Sequence, residues 1–324
     1  MDIKTREDVV SVLNMPFDEF EKTVKKQAFY TLIESKKNKV LVSGMIAYDN
    51  ICKNWCTYCG MRAGNNKLKR YRLSLNDIFD IENQIKKAGL HSVFLISGED
   101  PKYDFNDILK MVRHAKDIGL FVILAAGEQS LDGFKALKEA GLDEYALKYE
   151  TQNRELFNKI KPSTTFDKRM EAIYNVKEAG LKLGSGSIVD FPHQTIENIA
   201  DDIMLAYELK INWAPIIPYI PVPGTPLAGE GKAGNIFIMQ KVISILRIML
   251  PDVNITAQQP GEDLRKGLGD FEGNKNAILA GANVLFADMT PKEDKENFAV
   301  INNRMLNEVE RIDDIIKSVG MERQ

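Results

Sequence analysis

Three cysteines, Cys52, Cys56 and Cys59, are the whole thiol complement of the chain, and they crowd into the run Asn50-Ile-Cys52-Lys-Asn-Trp-Cys56-Thr-Tyr-Cys59-Gly-Met-Arg62. They are too few and too close for a disulfide framework. Thiolates are soft metal ligands, and three on one loop can wrap a 4Fe-4S cube, which normally takes four cysteines. One iron is then left open for a substrate or cofactor. A zinc site on the same residues needs a fourth ligand from a distant His, Asp or Glu; three cysteines that are merely buried is the other reading. The histidines are His91, His114 and His193. His91 directly precedes an apolar run and His114 lies inside a helical period, so both read as structural, while His193 and Asp190 fit either a catalytic or a turn role. No cysteine remains for a second all-cysteine cluster, so one cluster is expected.

The scaffold that would position this loop is written in the hydrophobic pattern. Eight short apolar runs begin near Val40, Ser92, Leu120, Glu144, Leu181, Ala214, Val253 and Ala282, with helical periods at 75–88, 105–118, 131–140, 166–179, 196–209 and 236–250. The endings KKAGL, KDIGL and KEAGL (twice) put a glycine just after a helix and start the next strand at once. Continuous apolar strands alternating with helices mean a parallel sheet covered on both faces. Eight units favour closure into a complete (βα)8 TIM-type barrel over an open doubly wound sheet. Before the first strand, one helix is opened by Thr5 with Asp8 in an acidic capping box. A second follows Pro16 and runs to about Ser35, with Phe17, Phe20, Val24, Ala28 and Leu32 on one face. The expected organisation is an N-terminal helical cap, 1–38, and a barrel, 39–324. The cysteine loop then falls at the C-terminal rim of the first strand, where barrel active sites are built.

With 43 Lys+Arg against 46 Asp+Glu the net charge is −3, which gives no sequence-wide electrostatic case for a nucleic-acid or anionic-membrane partner. No apolar stretch reaches the roughly 18 residues of a membrane span, and MDIKTREDVVSVLN lacks a leader pattern. A cytoplasmic location is expected.

CKNWCTYC resembles the C-x3-C-x-aromatic-C signature of the radical S-adenosylmethionine (SAM) superfamily. In that family the open iron is chelated by the amino and carboxylate groups of SAM, and an electron from the cluster cleaves SAM to methionine and a 5′-deoxyadenosyl radical. The resemblance assigns Cys52, Cys56 and Cys59 to the 4Fe-4S cluster and places Tyr58 near the adenine. Ser97, Gly98 and Glu99 resemble the Gly-Gly-Glu-type element that holds the SAM amino group. Glu150 and Arg169 become SAM contacts, Arg suiting a carboxylate by its two-pronged donors. Ile188 belongs to a stretch, 184–192, similar to the family's Gly-x-Ile-x-Gly-x-Pro, with Asp190 where Gly is usual. Without the resemblance, SGED fits a surface turn, Glu150 a structural ion pair and Arg169 an exposed helical position.

CxxxCxYCGxR, SGEDP, ET, PGTPLA and GANV together resemble the branch that holds the hydrogenase maturase HydE, methylornithine synthase and biotin synthase, the HydE-like subset fitting best. This implies a small amino-acid-like or metal-bound amino-acid substrate and an external one-electron donor of flavodoxin or ferredoxin type. The alternatives are a carbon-skeleton mutase of the methylornithine synthase type and an iron-sulfur scaffold without SAM turnover; so few histidines disfavour a zinc hydrolase. Branch members draw substrate residues from the last two strand ends. Here those ends carry Gln258 and Gln259 where HydE-like proteins tend to have threonines, and Asp288 where a neutral residue is usual; Lys148 replaces an Arg. Amides beside a carboxylate suit a zwitterionic amine. Arg62, near the cluster, is expected to hold a substrate or SAM carboxylate. The run Lys67-Leu-Lys69-Arg70-Tyr-Arg72 reads as a solvated face or as a dock for an acidic donor.

Overall fold

The computed structural model describes residues 2–301, 304 and 306–324. The chain opens with α1 (Arg6–Asn14), α2 (Phe17–Lys22) and α3 (Val24–Lys36). Thr5 and Asp8 close the expected capping box. The single helix expected after Pro16 is instead two, because Thr23 sits at φ −120°, ψ −86°. Its hydroxyl donates to the Glu19 carbonyl at 2.6 Å, a side-chain bond that competes with the helical ladder.

The strands are β1 (Lys39–Asp49), β2 (Ser92–Ser97), β3 (Phe121–Ala125), β4 (Glu144–Ala146), β5 (Lys182–Gly184), β6 (Ile188–Val189), β7 (Trp213–Ala214), β8 (Ile217–Pro218), β9 (Asn254–Ile255), β10 (Val284–Asp288) and β11 (Glu322–Arg323). Between and after them lie α4 (Leu75–Lys87), α5 (Phe105–Asp117), α6 (Leu131–Glu139), α7 (Arg154–Ile160), α8 (Phe166–Glu178), α9 (Ile196–Leu209), α10 (Ile236–Met249), α11 (Phe271–Leu279), α12 (Lys292–Lys295) and α13 (Val309–Ser318). Ser74 and Thr195 open α4 and α9 with capping boxes. Gly89, at φ 73°, is typical of the glycines that end the helices in a left-handed turn. An apolar face pins α4, which buries Ile78, Ile81 and Ile85, about 1.5–3 kcal/mol per side chain.

Eight strands form a curled parallel sheet in the order β10-β1-β2-β3-β4-β5-β7-β9, and β11 adds to the start of β1. The fifth and sixth apolar runs each break in two. Pro215 has no N–H to give to a ladder, and Gly186 lets Ile216 approach so closely that a Cβ would meet its side chain at 2.8 Å. Beyond these breaks β6 and β8 pair separately as a two-stranded extension. The ladder path ends at β9 and β10, which meet through one bridge, Thr256 to Val284, flanked by Asn283 N–H donating to Ile255 O and Ala257 N–H to Val284 O.

Inside the curl, Met45, Phe94, Ile123, Ala146, Trp213, Val284 and Phe286 pack as one layer. Phe94 meets Trp213 edge-on at 5.2 Å, and Phe286 lies 5.4 and 5.6 Å from the two rings. The indole N–H of Trp213 donates to Thr256 Oγ1 at 3.0 Å. A side chain at Gly184 would strike that indole at 2.8 Å. This aromatic floor closes the lower part of the interior and leaves the strand ends free for a site. The N-terminal helices join the outer core: Val9, Val12, Phe20, Val24 and Leu32 share an apolar cluster with Ile243 and Leu246 of α10. Lys241 donates to the carbonyls of Leu13 and Met15 at 2.8 and 2.6 Å.

Candidate active site

The cysteine loop leaves β1 at Asp49, whose Oδ1 accepts from Ile51 N–H at 2.7 Å. It is tied to β2 by Gly98 N–H donating to Asp49 O at 3.1 Å and Lys53 N–H donating to Glu99 O at 2.9 Å. Only glycine fits at 98: a Cβ would lie 2.1 Å from the Ile51 carbonyl oxygen and 3.0 Å from Cys52 Cβ. Thr57 N–H bonds the last carbonyl of α7, Ile160 O, at 2.9 Å. The far side of the loop is clasped by Arg70, whose Nη1 donates to the carbonyls of Asn50 and Met61 at 2.6 and 2.9 Å and Nη2 to those of Arg62 and Asn65 at 2.8 and 3.3 Å. Arg72 pairs with Asp100 at 2.5 Å. The basic run is split: Arg70 is turned inward to hold the loop and Arg72 pairs with Asp100, while Lys67 and Lys69 are exposed, as expected of a solvated face.

All three cysteines line one cavity of about 230 Å³ at the strand ends, together with Tyr58, Ser97, Gly98, Glu99, Glu150, Arg169 and Ile188. Ten expected positions from distant parts of the sequence thus meet in one place. Cys56 is buried, Cys52 and Cys59 half-buried, and all three thiols are free. Burial pushes the Cys59 thiol up to about 12 and raises that of Cys52. A cationic metal centre reverses that cost. Among the described residues no group of three or more His, Cys, Asp or Glu converges on a single metal ion; a cube instead takes its three thiolates at three separate irons.

Glu150 occupies a left-handed backbone position, φ 62°, at the end of the fourth strand run. Its Oε1 accepts from the Tyr58 hydroxyl at 2.9 Å and its Oε2 lies 3.2 Å from Lys148 Nζ. Oε2 is buried and meets the Lys148 ammonium as an ion pair, with no donor in hydrogen-bonding geometry. Burial pushes its carboxyl up, but Lys148, Lys161 and Arg169 outweigh that and hold it below the ordinary range. Arg169 is buried, not an exposed helical residue: Nε donates to Glu128 at 2.8 Å, Nη1 to Lys148 O at 2.7 Å, and Nη2 reaches Glu99 at 3.8 Å. Glu99 lies flat on the backbone because Gly127 has no Cβ; one would fall 2.0 Å from Glu99 Cγ.

Two charged groups beside the site were not among the expected residues. Lys161 is buried with Nζ 3.7 Å from Cys56 Sγ. Burial opposes its charge, yet Cys56, Glu150 and Glu99 hold the ammonium above its usual range. Glu128 positions Arg169 and accepts from Thr164 Oγ1 at 3.1 Å. The only sequence signal for Lys161 is its place before Pro162, and Glu128 carries none.

The expected substrate residues do not line the cavity. Gln258 Oε1 accepts from Phe286 N–H at 2.8 Å, and Gln259 Nε2 donates to the carbonyls of Ile216 and Thr256 at 3.0 Å, while Gln258 Nε2 and Gln259 Oε1 are buried without a partner. Asp288 is paired with Arg304 at 2.7 Å and its other oxygen accepts from Thr290 N–H. Arg62 is half-buried with its guanidinium 5.3 Å over the Trp55 ring and its Nε buried without a partner. Asp190 accepts from Asn235 N–H and His193 sits 2.9 Å from Glu230, both outside the cavity. His114 pairs with Glu82 between α4 and α5, as a structural histidine.

The donor set fits a three-cysteine cluster with a charged ligand beside it. The family model of the Radical SAM superfamily matches residues 48–206. The chain is 36% identical over 254 residues to the [FeFe] hydrogenase maturase subunit HydE of Thermotoga maritima, covering 78% of this chain and 71% of that one. It is 29% identical over 291 residues to 3-methylornithine synthase of Methanosarcina barkeri, covering 87% and 77%. The crystal structure of methylornithine synthase (PylB) superposes with a TM-score of 0.87 at 24% identity, over 100% of this chain and 95% of that one, which establishes the shared fold. No helix among the described residues is long and apolar enough to cross a membrane. With its three cysteines, carboxylates and buried arginine gathered on one cavity, the chain belongs to the radical SAM superfamily, as an enzyme whose cofactors are a 4Fe-4S cluster and SAM.

Proposed function

We propose that the chain reductively cleaves SAM and directs the resulting 5′-deoxyadenosyl radical at a small amino-acid-like or metal-bound amino-acid substrate, in the manner of HydE. The observation that carries this reading is the convergence of Cys52, Cys56 and Cys59 with Glu99, Glu150 and Arg169 on one cavity. The three thiolates would hold the cube, which when loaded and reduced supplies the electron for the cleavage. Glu99 would receive an ammonium group, Arg169 a carboxylate, and Glu150 Oε2 a hydroxyl or N–H. Tyr58 and Ile188 are the apolar contacts for a flat ring.

The likeness to HydE supports the substrate class, and so does the mixed charge of Lys148, Lys161 and Glu150 on one wall. Gln258, Gln259, Asp288 and Arg62 lie outside this cavity, Asp288 held by Arg304; the buried and unpartnered Gln258 Nε2, Gln259 Oε1 and Arg62 Nε keep hydrogen-bonding capacity for a substrate. We further infer that the sheet works as a complete barrel under an N-terminal helical cap, 1–38; the Thr256–Val284 bridge and its flanking bonds support closure.

The test is anaerobic. The chain is reconstituted with iron and sulfide, reduced with dithionite and given SAM, while 5′-deoxyadenosine and the electron paramagnetic resonance (EPR) spectrum are recorded. A spectral change on SAM addition with product formed is the expected result. A loaded cluster that neither responds to SAM nor yields product would transfer the protein to the class of cluster carriers.

A further inference from the structure

A lysine is almost never buried unless an anion meets it, because its ammonium loses water and gains nothing in return. Lys161 is buried, yet no carboxylate lies within ion-pair distance of it among the described residues. Its Nζ has one hydrogen-bonding contact there, Cys56 Sγ at 3.7 Å. The carboxylates nearby are already matched: Glu150 Oε2 meets Lys148 at 3.2 Å, and Glu128 accepts from Arg169 at 2.8 Å. A neutral thiol is a weak acceptor for an ammonium, whereas the thiolate it becomes as a cluster ligand is a charged one.

The contact is gripped by backbone on both sides. Lys161 follows the last residue of α7, its N–H donating to Phe157 O at 2.8 Å, and Pro162 narrows its backbone freedom. Ile160 O accepts from Thr57 N–H at 2.9 Å, and Ser163 Oγ accepts from Trp55 N–H at 2.8 Å. These two bonds straddle the pair: residues 160 and 163 lie on either side of Lys161, and their partners 57 and 55 on either side of Cys56. The ammonium is thus held beside that sulfur by the main chain and not by the reach of a free side chain.

We propose that Lys161 raises the reduction potential of the cluster, acting through Cys56 as a positioning residue. A cube held by three thiolates is an anion, and its negative charge grows when it accepts an electron. An ammonium bonded to one of its sulfurs therefore stabilises the reduced form more than the oxidised one. This rests on the cluster chemistry proposed above and adds the residue that tunes it.

The test is a reductive titration of the reconstituted full chain, followed by EPR and run without SAM, with Lys161→Met and Lys161→Arg beside wild type. Met keeps much of the length and loses the charge; Arg keeps the charge. Lys161→Met is expected to move the one-electron equilibrium about tenfold toward the oxidised cluster, a fall of about 59 mV, at unchanged iron content. Lys161→Arg is expected to restore most of that shift. An unchanged potential in Lys161→Met, the result that a packing role alone predicts, overturns the proposal. If Lys161→Met loads no cluster, a chain grown on lysine labelled with 15N at Nζ decides. The hyperfine spectrum of its reduced cluster is expected to show a coupled 15N that Lys161→Arg abolishes, and a spectrum without that coupling overturns the proposal. A cluster that depends on Lys161 in this way and still leaves SAM intact refutes the proposed reaction and supports this inference; a wild-type chain that loads no cluster overturns both.

Discussion

Arg70 makes a quantitative prediction about how the cysteine loop is held. Its guanidinium spans four carbonyls, of Asn50, Met61, Arg62 and Asn65, at 2.6–3.3 Å, so it joins the chain before Cys52 to the chain after Cys59. A charged hydrogen bond contributes about 1.5–3 kcal/mol when its partner is left with nothing in exchange. Arg70 is half-buried, and water replaces part of what Arg70→Ala removes. The net loss expected is about 2–4 kcal/mol of local stability rather than the sum of four bonds. At 1.4 kcal/mol per factor of ten, that is about 30- to 1,000-fold faster opening. The assay is amide hydrogen exchange on the cluster-free chain, reading Arg62 N–H, bonded to Cys59 O, and Ala63 N–H, bonded to Asn54 O. Arg70→Lys keeps the charge but not the planar fork and should fall between the two. Unchanged exchange in Arg70→Ala, with a full iron content after reconstitution, would falsify the clasp.

Gly98→Ala forces a Cβ to 2.1 Å from the Ile51 carbonyl, a backbone atom that cannot rotate away. The expected cost is about 3 kcal/mol and a sharp drop in iron bound per chain, and an unaltered melting temperature with full iron would refute it. Asp288→Asn leaves Arg304 without its anion, both side chains being about nine-tenths buried. A loss of about 3 kcal/mol is expected, recovered in part by adding Arg304→Gln, as a double-mutant cycle in thermal unfolding will show. Burial pushes the Glu82 carboxyl up to about 9 from an ordinary 4.5. A raised carboxyl means the folded state prefers the protonated acid, so its contribution is whole below pH 4.5 and is lost as pH rises toward 9. Glu82→Gln should flatten the fall in unfolding midpoint across that window; parallel wild-type and variant curves would rule it out.

Much of the scaffold was legible because it depends on local pattern. The helical periods reappear within a residue or two as α4, α5, α6, α8, α9 and α10. The short α7 and α11 and the terminal β11 were not read from the pattern, and neither was α13, although its Ile312, Ile315 and Ile316 recur at helical spacing. In the site, the cysteine spacing, Gly98, Glu99, Glu150 and Arg169 were readable because each belongs to a contiguous motif. Glu128 was not, since its partner Arg169 is 41 positions away and only the barrel brings them together. The strand-end residues Gln258, Gln259 and Asp288 were read from their chemistry, but Phe286 N–H, Ile216 O and Arg304 hold one end of each outside the cysteine cavity, leaving Gln258 Nε2 and Gln259 Oε1 buried and unpartnered. A polar side chain's destination is settled by which neighbour arrives, and neighbours across a barrel are invisible along the chain.

The interlocked Phe94, Trp213 and Phe286 do not line the cavity that the cysteines share; Ile96, Ala125 and Ala146, which pack against the same cluster, do. The rings therefore act on the site at one remove, as the packing that holds its small apolar lining in place. Trp213→Phe would leave a void beneath that lining rather than take a contact from anything bound in the cavity.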